Sequence, residues 1–119
     1  MAYVDGFVLP VQTRNLDAYR RLARKAARIW REHGALEVRE CVADDVKPGK
    51  LTSFPQSVKL KRGETVVFSW IVYRSRRHRD MVLAKVMQDP RIKRMMEGKP
   101  MPFDGQRMFF GGFKVLVAL

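Results

Sequence analysis

The sequence has one cysteine, Cys41, and only two histidines, His33 and His78, among 119 residues. A lone thiol cannot form an intramolecular disulfide, and so few ligands make no zinc-binding pattern. The longest apolar run, residues 66–73, is far shorter than the roughly 20 residues that cross a bilayer. No basic segment followed by an apolar run marks a secretory signal at the N-terminus. We therefore expect a cytoplasmic protein with no membrane contact, no metal and no cofactor.

Acidic residues are also scarce, because 12 Asp and Glu stand against 24 Lys and Arg and leave a formal net charge of +12. Hydrophobic residues make up 46% of the chain, with only 8 Gly and 6 Pro, so the composition is not that of a disordered tail. A chain of this length can bury one hydrophobic core but not two. We expect a single domain over residues 1–119.

Hydrophobic periodicity predicts alternating strands and helices. An amphipathic helix is expected over residues 16–33, capped by Asn15, and a second from Ser75 to about residue 89, where Pro90 breaks it. A short helical piece follows, at residues 91–97. The predicted strands are residues 3–11, 35–43, 57–60, 65–73 and 107–117, with 57–60 and 65–73 forming a hairpin.

The order β-α-β-β-α-β predicts an α+β, ferredoxin-like fold, in which two helices cover one face of an antiparallel sheet. The strand at 65–73 is apolar on both faces, with Phe68 and Trp70 on one and Val67 and Ile71 on the other. Two helices cover only one of these faces. We therefore expect a symmetric homodimer whose two sheets pack face to face.

Several blocks of the sequence resemble the YbaA-like family of uncharacterised bacterial proteins, also called domain of unknown function 1428. The blocks are YVDGF at 3–7, ECVADDV at 40–46, VVFSWI at 66–71, MPFDG at 101–105, RM at 107–108 and GGF at 111–113. The resemblance implies a dimeric α/β barrel and no known activity. Its wider superfamily includes cofactor-independent monooxygenases, haem-degrading enzymes and ligand binders, and no motif here selects one of these.

Two carboxylates interrupt apolar strand patterns, Asp5 in the first strand and Glu40 on the same face as Val38 in the second. An inward carboxylate is costly unless it is paired, and burial can shift its pKa toward that of a general base. Glu40, Asp5 and His78 are therefore the candidate catalytic residues. The alternatives are that such an acid pairs with an arginine or is rotated outward by a bulge, and that His78 has a capping or packing role.

A second set of residues suggests a site for a small anionic ligand. Arg79 lies on the apolar arc of the second helix, near an N-terminus whose N–H groups and dipole favour anions. It could instead pair with an internal carboxylate, for which Asp5, Glu40 and Asp104 are candidates. The candidate ligand-binding residues are Arg79, Ser75, Glu40, Trp70 and Asp104.

The first helix carries Arg20, Arg24, Arg28 and Arg31 opposite its apolar arc. Like charges four residues apart each cost roughly 0.2–0.5 kcal/mol, so this face does not serve helix stability. It could contact nucleic-acid phosphates, although no aromatic residues interleave to stack on bases. The alternative is a solvated face that aids solubility.

Three functional hypotheses follow from these patterns. The first is binding, or cofactor-independent conversion, of a small molecule in a pocket between the sheet and the helices. The second is nucleic-acid- or ribosome-associated binding through the basic face of the first helix. The third is a structural or regulatory dimer without a ligand.

Overall fold

The computed structural model of the chain describes residues 2–119. Its helices are α1 (Leu16–Glu32), α2 (Phe54–Ser57), α3 (Arg76–Gln88) and α4 (Pro90–Met96), and its strands are β1 (Tyr3–Gln12), β2 (Glu37–Val42), β3 (Glu64–Tyr73) and β4 (Phe109–Lys114). The strands form an antiparallel sheet in the order β2-β3-β1-β4. This is the ferredoxin-like arrangement, and it confirms the predicted α+β class.

The helices pack on one face of the sheet, as the alternation along the strands predicts. In β3, Val67, Ile71 and Tyr73 point toward the helices and are buried. Tyr73 is completely buried and packs with Val82 and Val86 of α3. The main core cluster therefore joins the central strands to α1, α3 and α4.

The opposite face of the sheet is largely uncovered. Within residues 2–119 it is covered at one corner, where Phe54 of α2 packs edge-on against Phe68 and Val58, just after α2, contacts Val8 and Val66. Phe68, Phe109 and Phe113 leave 40%, 47% and 64% of their surfaces exposed. We call this surface the open face; its main side chains are Val4, Phe68, Trp70, Val72, Phe109 and Phe113.

The predicted strand at 57–60 is wrong, because this segment holds the end of α2 and the turn that follows it. The Ser53 hydroxyl accepts a hydrogen bond from the backbone N–H of Gln56 at 3.1 Å, and Pro55 occupies the first helical turn. Serine at the cap and proline in the first turn are helix-start signals, because proline lacks a donor that would be unpaired there. The short alternating pattern at 57–60 masked these signals.

The boundaries of the helices follow their caps with one exception. The Ser75 hydroxyl accepts a hydrogen bond from the backbone N–H of His78 at 3.0 Å and starts α3, while Pro90 begins α4. Asn15 was expected to cap α1 but makes no side-chain cap hydrogen bond, because a 3-10 turn over residues 13–15 leads into the helix. Of the helices in the described residues, none has the length and apolarity to cross a membrane.

Candidate functional site

A cleft of about 350 Å³ opens between α1 and the edge strand β2. Its apolar walls come from one side of the helix and from the helix-facing side of the strand: Leu16, Ala23, Ala27, Val38 and Val42. A smaller cavity of about 150 Å³ continues under α1 toward β1 and β3. Tyr19 and Glu40 line both spaces, so they lie where the open cleft meets the interior.

Tyr19 and Glu40 form a hydrogen-bonded pair in this cleft. The Tyr19 hydroxyl donates to Oε1 of Glu40 at 2.7 Å. Tyr19 is buried, with 8% of its surface exposed, whereas Glu40 remains open to the cleft. The pair therefore combines a fixed donor with a carboxylate that a bound molecule can reach.

The electrostatics of the pair follow from its surroundings. Loss of water around the carboxylate raises the pKa of Glu40, and the hydrogen bond from Tyr19 offsets part of this rise. Burial, and then the nearby Glu40 charge, raises the pKa of Tyr19 far above its ordinary value, so the phenol stays neutral. Glu40 is thus a carboxylate with an elevated proton affinity, as a general base requires.

Arg79 is held by protein carboxylates. Its Nη1 lies 2.7 Å from Oδ1 of Asp5, and its Nε donates to Oδ1 of Asp80 at 2.8 Å. The guanidinium also lies over the ring of Tyr3, 4.9 Å from the centroid. Of the three carboxylates considered as partners for Arg79, Asp5 is the one in contact. The loss of solvation on burial outweighs the attraction between the Asp5 carboxylate and the Arg79 charge, so the pKa of Asp5 is raised.

Some arginines on the basic face of α1 make ion pairs or hydrogen bonds within the protein, and others make none. Arg20 forms an ion pair with Asp17 at 3.1 Å. Arg31 donates to the backbone carbonyl oxygens of Ala35 and Leu36, in the segment between α1 and β2. Arg24 and Arg28 make no ion pair or side-chain hydrogen bond with any residue in 2–119. Only part of this surface is therefore free to meet an external anion.

Residues 2–105 match the DUF1428 family, described as a protein of unknown function. The chain belongs to this family. It is 50% identical over 117 residues to the uncharacterized protein YbaA of Escherichia coli K12, with 98% of each chain covered. The YbaA protein of Shigella flexneri matches to the same extent.

Among solved structures, this DUF1428 chain is similar to SnoaB, a cofactor-independent oxygenase from Streptomyces nogalater, solved as a mutant. The TM-score is 0.59 at 10% identity, and the match covers 99% of this chain and 96% of that one. At this identity the likeness shows the fold alone, and it agrees with the α+β, ferredoxin-like arrangement of this chain.

Trp70 is separated from Glu40 by the sheet itself. It lies on the open face, where its Nε1 donates to Oε2 of Glu37 at 2.8 Å. Trp70 and Glu40 were placed in one ligand site from the sequence, but adjacent strand residues point to opposite faces. Glu40 pairs with Ser69 across the ladder, so the next residue, Trp70, faces away from the cleft.

Ser75 and His78 serve the start of α3. The Ser75 hydroxyl is occupied as the helix cap, and the ring Nδ1 of His78 accepts a hydrogen bond from the backbone N–H of Arg74 at 3.0 Å. His78 is 7% exposed, and burial is the main cause that lowers its pKa. These contacts match the capping and packing alternative considered for His78, and they place both residues outside the cleft.

Asp104 belongs to a separate ionic cluster. It accepts a hydrogen bond from Nε of Arg107 at 2.8 Å, and Arg107 also meets both carboxylate oxygens of Glu64, at 2.6 and 2.8 Å. These hydrogen bonds lower the pKa values of Asp104 and Glu64. The cluster fastens the loop before β4 to the start of β3.

Within the part of the chain that the structure describes, no three His, Cys, Asp or Glu side chains are grouped to hold a metal ion. Tyr19 is a polar residue of the cleft that the sequence patterns did not single out, although it lies within the predicted amphipathic helix. A phenol on a sheet-facing helix surface needs a hydrogen-bond partner when it is buried. The signal that could have indicated this pair is the inward carboxylate of Glu40 on the predicted neighbouring strand.

Proposed function

We propose that this protein binds a small organic molecule in the α1–β2 cleft and moves a proton on it through Glu40, without a cofactor. The observation that carries the proposal is the Tyr19–Glu40 hydrogen bond at the junction of an apolar cleft and an interior cavity. Apolar walls with a few convergent polar groups are typical of small-molecule sites.

The proposed step needs no other reactant. The Glu40 carboxylate takes a proton from an acidic C–H or O–H group of the bound molecule, and the electron pair stays on the molecule. The protonated Glu40 then returns the proton to a different atom of the same molecule. Tyr19 holds the carboxylate in position by donating to its other oxygen.

The fold is compatible with this reaction class. SnoaB, whose structure is similar, is described as a cofactor-independent oxygenase. That description supports chemistry without a cofactor in such a fold, but the proposal depends on the geometry of this site rather than on the likeness.

Solvent-deuterium exchange into small 1,3-dicarbonyl compounds, followed by proton NMR, tests the proposal. Glu40→Gln should lower the exchange rate by about 100-fold or more, since a positioned general base contributes roughly 10²–10⁴-fold. Asp45→Asn is the matched control, because Asp45 is an exposed carboxylate in the loop after β2 that lines neither the cleft nor the groove beside it. Equal rates in the two variants, or no exchange above the buffer rate, would contradict the proposal.

We further propose that the open face is covered by a second copy of the chain. A chain with a net charge of +12 repels its own copies over most of its surface. The open face avoids this, because its charged side chains on β2, Glu37 and Arg39, pair with each other at 3.4 Å. Two such apolar sheets can pack across a two-fold axis and remove the exposed Phe109 and Phe113 from water.

Light scattering at micromolar concentration should give about twice the chain mass of 13.9 kDa. Phe113→Arg should produce a monomer, because it places a charge within the proposed interface. Met81→Arg is the control, since Met81 is about as exposed but lies on α3. A wild-type monomer would overturn the dimer, whereas a dimer that binds nothing in the cleft would favour the ligand-free, structural hypothesis.

A further inference from the structure

The α1–β2 cleft widens into a groove of about 690 Å³ along the second half of α1. The two spaces share Arg24, Ala27 and Val38, so the groove continues directly from the cleft that holds the Tyr19–Glu40 pair. The cleft end is mainly apolar, whereas the groove end is lined by arginines on both sides. One elongated molecule can therefore occupy both.

The acidic side chains in the groove are already neutralised. Glu32 accepts a hydrogen bond from Nη2 of Arg91 at 2.6 Å, and Glu37 lies 3.4 Å from Nη2 of Arg39. Arg31 is held by backbone carbonyl groups. Of the charged side chains that line the groove, Arg24 and Arg28 are the two that make no ion pair or side-chain hydrogen bond within residues 2–119.

Arg24 and Arg28 are one helical turn apart on α1 and both line the groove. Their mutual repulsion is unfavourable to the helix, and an anion between them would offset it. With a rise of about 1.5 Å per residue, they lie roughly 8 and 14 Å along the helix axis from Tyr19. This spacing sets the length of a molecule that reaches from Glu40 to the arginines.

We infer that the ligand of this cleft is an amphipathic organic anion. Its apolar body would lie between α1 and β2, and its carboxylate or phosphate would lie on Arg24 and Arg28, roughly 8–14 Å from the end that meets Glu40. The inference rests on the proposed function, since it assigns the ligand to the same cleft. It places the anion on α1 rather than at the start of α3, where Arg79 is held by Asp5.

The same helix supplies a control for general electrostatic attraction. Arg21 and Lys25 are also exposed, basic and one turn apart, but they do not line the cleft or the groove. A nucleic acid would contact the whole basic face and would respond to either pair. A ligand in the groove depends on Arg24 and Arg28 alone.

The test is an NMR and calorimetric titration with octyl phosphate, octanoate and octanol, which share one apolar chain. The two anions should bind the wild type at least about tenfold more tightly than octanol. The double variant R24Q/R28Q should remove this advantage, whereas R21Q/K25Q, with the same change in net charge, should stay within about twofold of wild type. A preference for one anion over the other identifies the ligand as phosphate or carboxylate.

Three results would overturn the inference. Equal losses of anion affinity in the two double variants would mean that the whole basic face attracts anions diffusely, as a nucleic-acid-binding surface does. Equal binding of octanol and both anions, with shifts of the Ala23 and Ala27 amides, would mean that the cleft binds apolar chains without a preference for an anionic group. No shift of these amides with any of the three compounds would contradict the proposed binding function itself.

Discussion

Asp5 and Glu40 are carboxylates on the same face of one sheet, and burial raises the pKa of both. Asp5 is 5% exposed and meets the guanidinium of Arg79 at 2.7 Å. Glu40 meets only the neutral phenol of Tyr19 and otherwise faces an open cleft. A raised pKa alone therefore does not separate a structural acid from a reactive one. The partner and the access from solvent make the difference.

The largest effect should come from breaking the closed pair. Arg79→Ala is expected to lower the free energy of unfolding by about 3–5 kcal/mol, because it leaves the buried Asp5 carboxylate uncompensated. Urea denaturation measures this. Arg77→Ala, on the exposed side of the same helix, should change stability by no more than about 0.5 kcal/mol.

A second variant separates the charge from the packing of Arg79 on Tyr3. Adding Asp5→Asn to Arg79→Ala removes the uncompensated charge and should restore part of the lost stability. If the double variant is no more stable than Arg79→Ala, the loss comes from packing and the ionic account of this region is wrong.

An intermediate effect is expected from breaking the pair in the cleft. Tyr19→Phe removes one hydrogen bond and should cost about 1 kcal/mol. The pKa of Glu40 should rise further, because the hydrogen bond from Tyr19 lowers it in the wild type. A double-mutant cycle with Glu40→Gln and an NMR titration measure the two effects; independent, additive losses would show that the contact is not coupled.

The smallest effect should be the pH dependence of Glu40→Gln. The pKa of Glu40 is raised above 4.5 in the folded protein, so ionisation of this side chain destabilises the fold. The variant should therefore melt slightly above the wild type at pH 7, and the difference should disappear as the pH falls below about 4.5. Thermal melts between pH 4 and 7 check this, and a difference that grows on acidification would contradict the raised pKa.

The fold was predictable because its information is local and periodic. The amphipathic pattern of α1 and the two apolar faces of β3 indicated the layers, and Glu40 was predicted on the same strand face as Val38, which in the structure faces α1. The failure at residues 57–60 came from four residues whose alternation is too short to outweigh a serine–proline helix start.

The candidate site was only partly predictable because it depends on which side chains meet. Nothing in the sequence indicates that Asp5, rather than Glu40 or Asp104, takes Arg79, since that depends on how α3 crosses the sheet. Trp70 was grouped with Glu40 although a single step in register sends them to opposite faces. Both assignments, the partner of Arg79 and the sheet face of Trp70, depend on contacts between residues far apart in the sequence.

Glu40 also differs from Asp5 in the strand that carries it. β1 is bonded on both sides, by β3 and β4, whereas β2 has a neighbour only in β3. Backbone amides of a six-residue edge strand exchange with solvent through local opening, without disruption of the core. One wall of the cleft can thus open transiently while the other, α1, stays packed through Tyr19 and Ile29. We therefore expect the cleft to admit larger molecules under conditions of temperature or denaturant that favour opening of β2, even while the core stays folded.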